Sequence, residues 1–233
     1  MIPTVEIVEH ELEAWICAFS ADGSALFSGG DDSKLVFARP KELTLGLDTE
    51  VKGEGEGEGE QEGEERERER NDVVWEDRKI HGAGVTAILP LKEEDVGEEE
   101  GLVITGSYDD HIRLLHLPHA GRRTVRTEMD LGGGVWRLKL LSTTTKSPKI
   151  SDSETGDEIV ITILASCMHA GARILELRKG GDGEWRFEIL ARFEEHKSMN
   201  YGSDSREVGE GEEGRWTVVS TSFYDRLCCL WRF

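Results

Sequence analysis

Four short segments of the chain repeat one pattern, in which an apolar run, a polar turn and a second apolar run follow one another. The polar turns are centred on Asp32, Asp109, His169 and Asp225. Most of the apolar runs are too short for helices, and Gly, Asp and Ser interrupt them, which is typical of β-strands. The repeat therefore predicts an all-β fold built from one strand–turn–strand unit.

Polar inserts separate these repeats. Glu and Gly alternate through residues 50–70, which cannot bury enough apolar surface to offset chain entropy, so we expect a disordered loop insertion there. The alternative reading of this segment is an acidic docking tail. Residues 92–101, 142–158 and 203–214 are expected to be smaller loop expansions.

The spacing of the repeats predicts the architecture. The turn positions lie 77, 60 and 56 residues apart, and removing the inserts brings these intervals towards about 40–45 residues, the period of WD-repeat propeller blades. We predict that residues 1–233 form a single WD-repeat β-propeller domain with about four recognisable blades. WD propellers usually close with seven blades, because open blade edges leave strands unpaired. The chain is therefore expected to be part of a seven-bladed ring whose N-terminal blades are missing.

Several polar residues are expected to hold the blade turns together. In a WD blade, an Asp in the turn, a His before the first strand, a Ser and a Trp form a hydrogen-bond set. His81, Ser107 and Asp109 fit three of these roles in the second unit, while Asp225 and Trp231 fit two in the last. Asp32 and Asp225 lack a Ser two positions earlier. We predict structural roles for the set.

Composition excludes several classes of function. The chain carries 28 Lys and Arg against 48 Asp and Glu, a formal net charge of −20, which disfavours nucleic-acid binding. No run of 18 apolar residues predicts a membrane span, and the N-terminus lacks the pattern of a secretory signal. The four cysteines form no C-x-x-C pair, so we expect a reduced compartment and no zinc site.

An ordered series of motifs is more specific than the repeat itself. In chain order the motifs are Ser28–Asp32, His81–Val85, Thr105–Asp109, Gly132–Leu138, Cys167–His169, Tyr201–Asp204 and Ser222–Asp225 with Leu230-Trp231. This series resembles diphthine methylesterase, the WD-repeat family of diphthamide biosynthesis, over roughly Leu12 to Trp231. The sequence departs from the family at Leu115-His116, where Trp and Asp are usual, and at Ser205, where an aromatic residue often follows the Asp.

The resemblance implies a function. The family hydrolyses the methyl ester of over-methylated diphthine on elongation factor 2, giving diphthine and methanol. Membership would make the protein a cytoplasmic eukaryotic hydrolase that uses no metal or cofactor, takes elongation factor 2 as its protein substrate and is monomeric. The alternative is a non-catalytic scaffold for protein–protein interaction, since most WD propellers are binding platforms.

The sequence does not identify the catalytic group. Ester hydrolysis needs an activated nucleophile, a proton shuttle and a stabilised oxyanion, and the chain lacks the G-x-S-x-G nucleophile motif. Cys167 could attack with His169 as base, or His169 or His196 could activate a water molecule. Gly132–Gly134 could present backbone N–H groups to an oxyanion, although a tight interblade turn explains these glycines equally well. The catalytic residues are therefore unknown from sequence, with Cys167, His169 and His196 as candidates.

Overall fold

The computed structural model describes residues 6–41, 73–97, 99–118, 122–146, 158–208 and 215–233. The acidic insertion predicted at 50–70 lies outside the described residues. The same is true of 147–157 and 209–214, which belong to two of the smaller predicted inserts. Across the described part, 15 strands and a single helical turn make up the regular structure, so the all-β prediction is confirmed.

The strands form four antiparallel sheets, here called blades 1 to 4, and follow chain order within each sheet. Blade 1 contains β1 (Ala14–Phe19), β2 (Leu26–Gly30), β3 (Leu35–Ala38) and β4 (Val73–Asp77). Blade 2 contains β5 (Val85–Pro90), β6 (Leu102–Ser107), β7 (His111–His116) and β8 (Thr124–Asp130), with the helical turn α1 (Glu93–Val96) between β5 and β6. Blade 3 contains β9 (Arg137–Lys146), β10 (Glu158–Ser166), β11 (Ala172–Lys179) and β12 (Trp185–Phe193). Blade 4 contains β13 (Asn200–Glu207), β14 (Trp216–Ser222) and β15 (Cys228–Arg232).

The blades stand side by side with their first strands together. Strand β1 contacts β5, β5 contacts β9, and β9 contacts β13. Each of the four sequence repeats forms the second and third strands of one blade, joined by the turn at the predicted position. The turns therefore project together at one end of the strands, on what we call the turn face.

Apolar side chains between neighbouring blades form the core. Phe27 and Phe37 of blade 1 pack with Val85 and Val103 of blade 2. The largest cluster joins blades 2 and 3 through fully buried residues such as Ile104, Ile112, Ile161, Ile163 and Leu175. A smaller cluster joins blades 3 and 4 through residues such as Leu164, Ile174 and Val218. Sheets covered on both faces bury the side chains of both, which explains why nearly every residue of β6 and β7 is buried.

Two of the expected loop expansions begin later than predicted. Residues 142–146 continue β9, where Thr143 and Thr145 lie opposite Ile161 and Ile159 of β10. Residues 203–207 likewise continue β13 and pair with β14. The boundaries predicted at 142 and 203 were therefore wrong. Polar residues predict a loop, but β-branched threonines also fit an extended strand, and residues 142–145 and 203–207 are at least partly exposed.

Candidate functional site

Three histidines on the turn face connect neighbouring strands through hydroxyl groups. His10, His81 and His196 each precede the first strand of a blade. Their Nε2 atoms form hydrogen bonds with Ser28 Oγ at 2.7 Å, Thr105 Oγ1 at 2.9 Å and Ser220 Oγ at 2.9 Å. The hydroxyl always comes from the second strand of the same blade. The three blades thus share one way of tying the segment before the first strand to the sheet.

The turn aspartates complete this arrangement. Both carboxylate oxygens of Asp32 lie 3.1 Å from His10 Nδ1, and the N–H groups of Glu11 and Lys34 donate to the same carboxylate. In blade 4, the Asp225 carboxylate accepts hydrogen bonds from the N–H groups of Lys197 and Leu227. A carboxylate can accept several such bonds at once, which explains why Asp suits these turns.

In blade 2 the charged partner is an arginine. The Asp109 carboxylate accepts hydrogen bonds from the N–H groups of Gly82 (2.7 Å) and His111 (3.1 Å) and from the Arg113 guanidinium. Burial alone would raise the pKa of the Asp109 carboxyl, but these donors outweigh it and lower the pKa to about 2. Asp109 therefore stays ionised and holds its turn.

Ser107 has a different contact from the one expected. Its hydroxyl donates to the carbonyl of Ala83 at 3.0 Å and accepts from the N–H of Asp109, while Thr105 occupies the place beside His81. The hydroxyl partner of each histidine lies four residues before the turn Asp in blades 1 and 2, and five residues before it in blade 4. A Ser or Thr four or five residues before the turn Asp is the sequence signal that identifies these residues.

In blade 4 a Trp joins the histidine and its hydroxyl partner, although no Ser stands two residues before Asp225. Trp231 Nε1 donates to Ser220 Oγ at 3.3 Å, and Ser220 also bonds His196. The Trp231 ring stacks on Phe193 of blade 3, with centroids 5.1 Å apart and planes 4° apart. The indole thus connects the last strand both to its own blade and to the neighbouring one.

Replacing Trp231 by Phe separates these two contributions. Trp231→Phe keeps a ring against Phe193 but removes the indole N–H that bonds Ser220. We expect a loss of about 1 kcal/mol in the free energy of unfolding, the usual net value of one hydrogen bond. Urea denaturation of the wild type and of Trp231→Phe measures this loss. The Ser220→Ala variant should lose more, because it also removes the partner of His196, and an equal or smaller loss would contradict this arrangement.

The turn of blade 3 differs from the other three. His169 occupies the position of the turn Asp and is exposed, and it makes no hydrogen bond or ion pair with any other described residue. Its neighbour Met168 has a positive φ of 41° and bridges to Asn200 of blade 4. With an imidazole in place of a carboxylate, this turn lacks the usual acceptor. Backbone hydrogen bonds close it: the N–H of Cys167 donates to the carbonyl of Gly171, and the N–H of Ala170 donates to the carbonyl of Cys167.

His169 borders an open depression between blades 3 and 4 on the turn face. The other lining residues are His196, Lys197, Ser198, Met199, Tyr224 and Asp225. Two of the candidate catalytic residues, His169 and His196, therefore border one depression. The His196 side chain is buried, engaged with Ser220 and packed edge-on against Phe193 at 5.3 Å, which gives it a structural role. Only His169 among the candidates is exposed to solvent.

Cys167 does not fit the role of a nucleophile. Its side chain is fully buried in the core between blades 2 and 3. Burial raises the pKa of its thiol to about 12, so the reactive thiolate is almost absent near neutral pH. The pairing of Cys167 with His169 as its base is not supported, because the tight turn at Met168 leaves the thiol in the core and the imidazole outside.

The burial of Cys167 predicts its reactivity. In the native protein we expect Cys17 and Cys228, which are exposed, to react with iodoacetamide at least about 100-fold faster than Cys167, because thiolate concentration and access control the rate. Mass spectrometry of digested protein after timed labelling measures each site. In urea, where the core is open, the cysteines should react at similar rates. Rapid labelling of Cys167 in the native state would contradict its position in the core.

The glycine run before β9 forms the connection between blades 2 and 3. A side chain on Gly133 would meet the carbonyl oxygen of Cys167 at 2.5 Å, and one on Gly134 would meet the Met168 sulfur at 2.6 Å. The N–H of Gly132 donates to the Asp130 carboxylate. Close packing between blades therefore requires these glycines, which favours the interblade-turn interpretation over an oxyanion site.

Metal sites and membrane-spanning helices are two further features to consider among the described residues. Within the described ranges, no group of three or more His, Cys, Asp or Glu side chains is placed to hold a metal ion. Among the described helices, none is long and apolar enough to cross a membrane.

The solved structures similar to this chain are WD40 β-propellers. The WD40 domain of Doa1 superposes with a TM-score of 0.52 and 14% identity, over 96% of this chain and 52% of that one. Sqt1 of Saccharomyces cerevisiae superposes with a TM-score of 0.53 and 11% identity, over 96% of this chain and 46% of that one. The four blades thus have the WD40 propeller fold, and the chain matches about half of each neighbour.

Proteins of similar sequence indicate which kind of WD40 protein this chain resembles. The chain is similar to a protein of Schizosaccharomyces pombe named diphthine methyltransferase, with 30% identity over 224 residues, covering 96% of this chain and 52% of the relative. The Saccharomyces cerevisiae protein of that name is 28% identical over 239 residues, covering 95% of this chain and 49% of the relative. The human one is 28% identical over 196 residues, covering 84% and 32%.

These relatives confirm the resemblance that the motifs indicated. The chain spans about half the length of the yeast relatives it matches. No protein-family model matches the chain. The relatives are named methyltransferases, whereas the motif resemblance implies an esterase. The name and the resemblance therefore indicate two different reactions of the methyl group.

Proposed function

We propose that the chain belongs to the enzyme that removes the methyl ester from methylated diphthine on elongation factor 2 in diphthamide biosynthesis. The observation that carries this proposal is the similarity to diphthine methyltransferases over nearly the whole chain. On this proposal the protein is a cytoplasmic ester hydrolase that uses no cofactor. The chemistry takes place on a side chain presented by elongation factor 2.

The exposed imidazole of His169 is the group in the described part best placed to act as general base. It lies at the depression, and no other described residue engages its ring nitrogens. Imidazole changes protonation near neutral pH, which suits it to proton transfer. An imidazole held by a buried hydroxyl, as in His81 and His196, is less free to exchange protons.

The reaction we propose is ordinary ester hydrolysis. The oxygen of a water molecule attacks the ester carbonyl while His169 accepts its proton, giving a tetrahedral intermediate. When the intermediate collapses, the bond between the carbonyl carbon and the methoxy oxygen breaks, and the imidazolium returns the proton to the leaving methoxy group. The products are the carboxylate form of diphthine and methanol, with one proton released to solution.

The test uses elongation factor 2 carrying methylated diphthine, incubated with the protein in water enriched in heavy oxygen. We expect one methyl group to be lost, methanol to appear and heavy oxygen to enter the new carboxylate. Transfer of the methyl group to another molecule without methanol would instead support the methyltransferase of the relatives' name. Binding of elongation factor 2 without methyl loss would support the alternative, a non-catalytic scaffold.

A pair of histidine variants tests the role of His169. His169→Asn should keep binding elongation factor 2 and lose about 10²–10⁴-fold in rate, the usual contribution of a general base. His111→Asn is the matched control, because His111 directly follows the corresponding turn of blade 2 as the first residue of β7, and among the described residues its side chain contacts only Asp109. Equal rates for the two variants would return His169 to a structural role.

A further inference from the structure

The side of blade 4 that points away from blade 3 exposes apolar side chains, and we call it the free face of blade 4. On β14, Val218 belongs to the cluster shared with blade 3, whereas the next residue, Val219, is 39% exposed. Val219 lies opposite Leu230 of β15, which is 66% exposed. Because successive residues of a strand point to opposite sides of the sheet, Val219 and Leu230 both lie on the free face.

Two arginines border this apolar pair. Arg206 of β13 lies opposite Thr217 of β14, and Thr217 lies opposite Arg232 of β15, so both arginines share the free face. Both are exposed, and neither forms an ion pair with another described residue. Asp204 also falls on this face by register, but Lys139 of blade 3 binds its carboxylate. The free face of blade 4 is therefore apolar and positively charged, although the chain has a net charge of −20.

Blade 1 has an exposed side of its own, which points away from blade 2 and which we call the free face of blade 1. Ala18 of β1 packs against the cluster between blades 1 and 2. Its two neighbours in the strand, Cys17 and Phe19, therefore point away from blade 2. Cys17 is exposed, and Phe19 is 63% exposed. This face thus also presents apolar surface to solvent.

The segment of residues 6–13 makes the free face of blade 1 acidic. His10 of this segment bonds Ser28, which lies opposite Cys17, so the segment lies on the same side of the blade at its turn end. Three of its glutamates are exposed and form no ion pair with another described residue: Glu6, Glu9 and Glu13. The free faces of blades 1 and 4 are therefore complementary in charge and both apolar in part.

The contacts between blades within the chain show how these two faces fit together. Strand β5 packs against β1 and β2 of the preceding blade, and β13 packs against β9 and β10. In the same arrangement, β1 of a second copy would pack against β13 and β14, the strands that carry Arg206 and Val219. A contact between the two free faces would thus repeat a contact that the fold already uses.

We propose that two copies of this chain associate head to tail, with the free face of blade 4 in one copy against the free face of blade 1 in the other. Such a pair makes the contact twice and joins two sets of four sheets into a closed ring of eight blades. Propellers of eight blades are known, and a head-to-tail contact that does not close would continue into a filament. The proposal does not depend on the reaction, and it differs from the monomer that the family resemblance implies.

Sedimentation velocity of residues 1–233 over a series of protein concentrations tests the oligomeric state. We expect monomer and dimer in equilibrium, with a dissociation constant of about 10 µM or lower. This constant should rise at least about 5-fold between about 0.05 and 0.5 M salt, because salt screens the attraction between the arginines and the glutamates. Monomer at every concentration would overturn the proposal, and oligomers that grow beyond the dimer would overturn the closed ring.

Two exposed leucines provide a matched pair of variants. Leu230→Glu places a carboxylate on the free face of blade 4, whereas Leu190→Glu places one on β12, the fourth strand of blade 3. Both variants should fold, because both side chains are at least 40% exposed. Leu230→Glu should raise the dissociation constant at least about 10-fold, since the contact would bury a charge, and Leu190→Glu should leave it unchanged. Equal effects of the two substitutions would contradict the assigned contact.

Mixing two defective variants tests whether the contact is head to tail. Phe19→Glu alters the free face of blade 1 and, like Leu230→Glu, should prevent self-association. In the mixture, blade 4 of the Phe19 variant still fits blade 1 of the Leu230 variant, so one contact returns. The mixture should associate at least about 5-fold more tightly than either variant alone and more weakly than the wild type. If Phe19→Glu dimerises normally and mixing restores nothing, two blade 4 faces meet each other and the proposal is wrong.

Two cysteines report the same contact without a substitution. Cys17 and Cys228 lie on the two free faces and are exposed in the single chain. Their labelling by iodoacetamide should slow as the protein concentration rises, whereas the fast reaction expected above is that of dilute, separated copies. Cys167 is buried within one chain, so its rate should not change with concentration. Labelling of Cys17 and Cys228 at a constant rate in protein that sediments as a dimer would contradict a contact at these faces.

Discussion

Gly171→Ala is expected to destabilise the protein by about 3 kcal/mol or more, because two penalties coincide at this position. Gly171 has a φ of 79°, a region that L-residues with a side chain adopt at a cost. A Cβ atom there would also lie 2.2 Å from the carbonyl oxygen of Phe193, and backbone on both sides would have to move. The turn between β10 and β11 packs directly against the end of β12.

A second glycine separates these two penalties. Gly183, in the turn between β11 and β12, has the same φ of 79°, but a side chain there would meet nothing within 4 Å. Gly183→Ala should therefore cost only the conformational penalty, about 1–2 kcal/mol. Urea denaturation of both variants gives the free energies of unfolding. Equal losses would show that the close approach of Phe193 to Gly171 is unimportant.

Acid is expected to destabilise the protein through His81. The imidazole is buried and bonded to Thr105, and its Nδ1 has no partner in the described part. Burial and, to a smaller extent, the charge of Arg113 lower the pKa of His81 from 6.5 to about 4, although the charges of Asp109 and Asp77 oppose the shift. The unfolded chain thus binds this proton more readily than the folded one, so protonation favours unfolding.

The sign and size of the effect follow from the two pKa values. The stabilisation from neutral His81 is complete above about pH 6.5 and disappears as the pH falls towards 4. Between pH 7 and pH 5 we expect a loss of about 2 kcal/mol, and about 3 kcal/mol in total at lower pH. Denaturation at a series of pH values measures this dependence.

The His81→Gln variant isolates the contribution of this group. The Gln side chain does not titrate in this range. Between pH 7 and pH 5, the free energy of unfolding of the variant should therefore fall by about 2 kcal/mol less than that of the wild type, although the variant is less stable at pH 7. Titrating groups far from His81 act equally in both proteins and cancel in the difference, and the Asp109 carboxyl, with a pKa of about 2, stays ionised between pH 7 and pH 5. Parallel pH profiles would show that His81 is protonated equally easily in the folded and unfolded states.

Local patterns were sufficient to predict the fold class and the repeat register. Short apolar runs interrupted by Gly, Asp and Ser, and turns at Asp32, Asp109, His169 and Asp225, are properties of neighbouring residues, which the sequence displays directly. The loop boundaries at 142 and 203 were wrong, because whether a polar residue continues a strand depends on the hydrogen bonds of the adjacent strand. The structural roles of His81 and Asp109 followed from the repeat, but Thr105 replaced Ser107 as the partner of His81.

The sequence by itself thus determined that the chain forms an all-β repeat of blades with Asp-centred turns, and its ordered motifs pointed to the diphthine-modifying proteins. Only the tertiary structure decided what surrounds each candidate side chain. It buried Cys167, left His169 exposed and engaged His196 with Ser220, although all three stand near strand ends in the sequence. It also brought aromatic rings from distant parts of the chain into contact, as with Trp15 and Trp136. The physical reason is that strand pairing and turns depend on nearby residues, whereas burial and ring contacts depend on blades that meet only when the whole chain is folded.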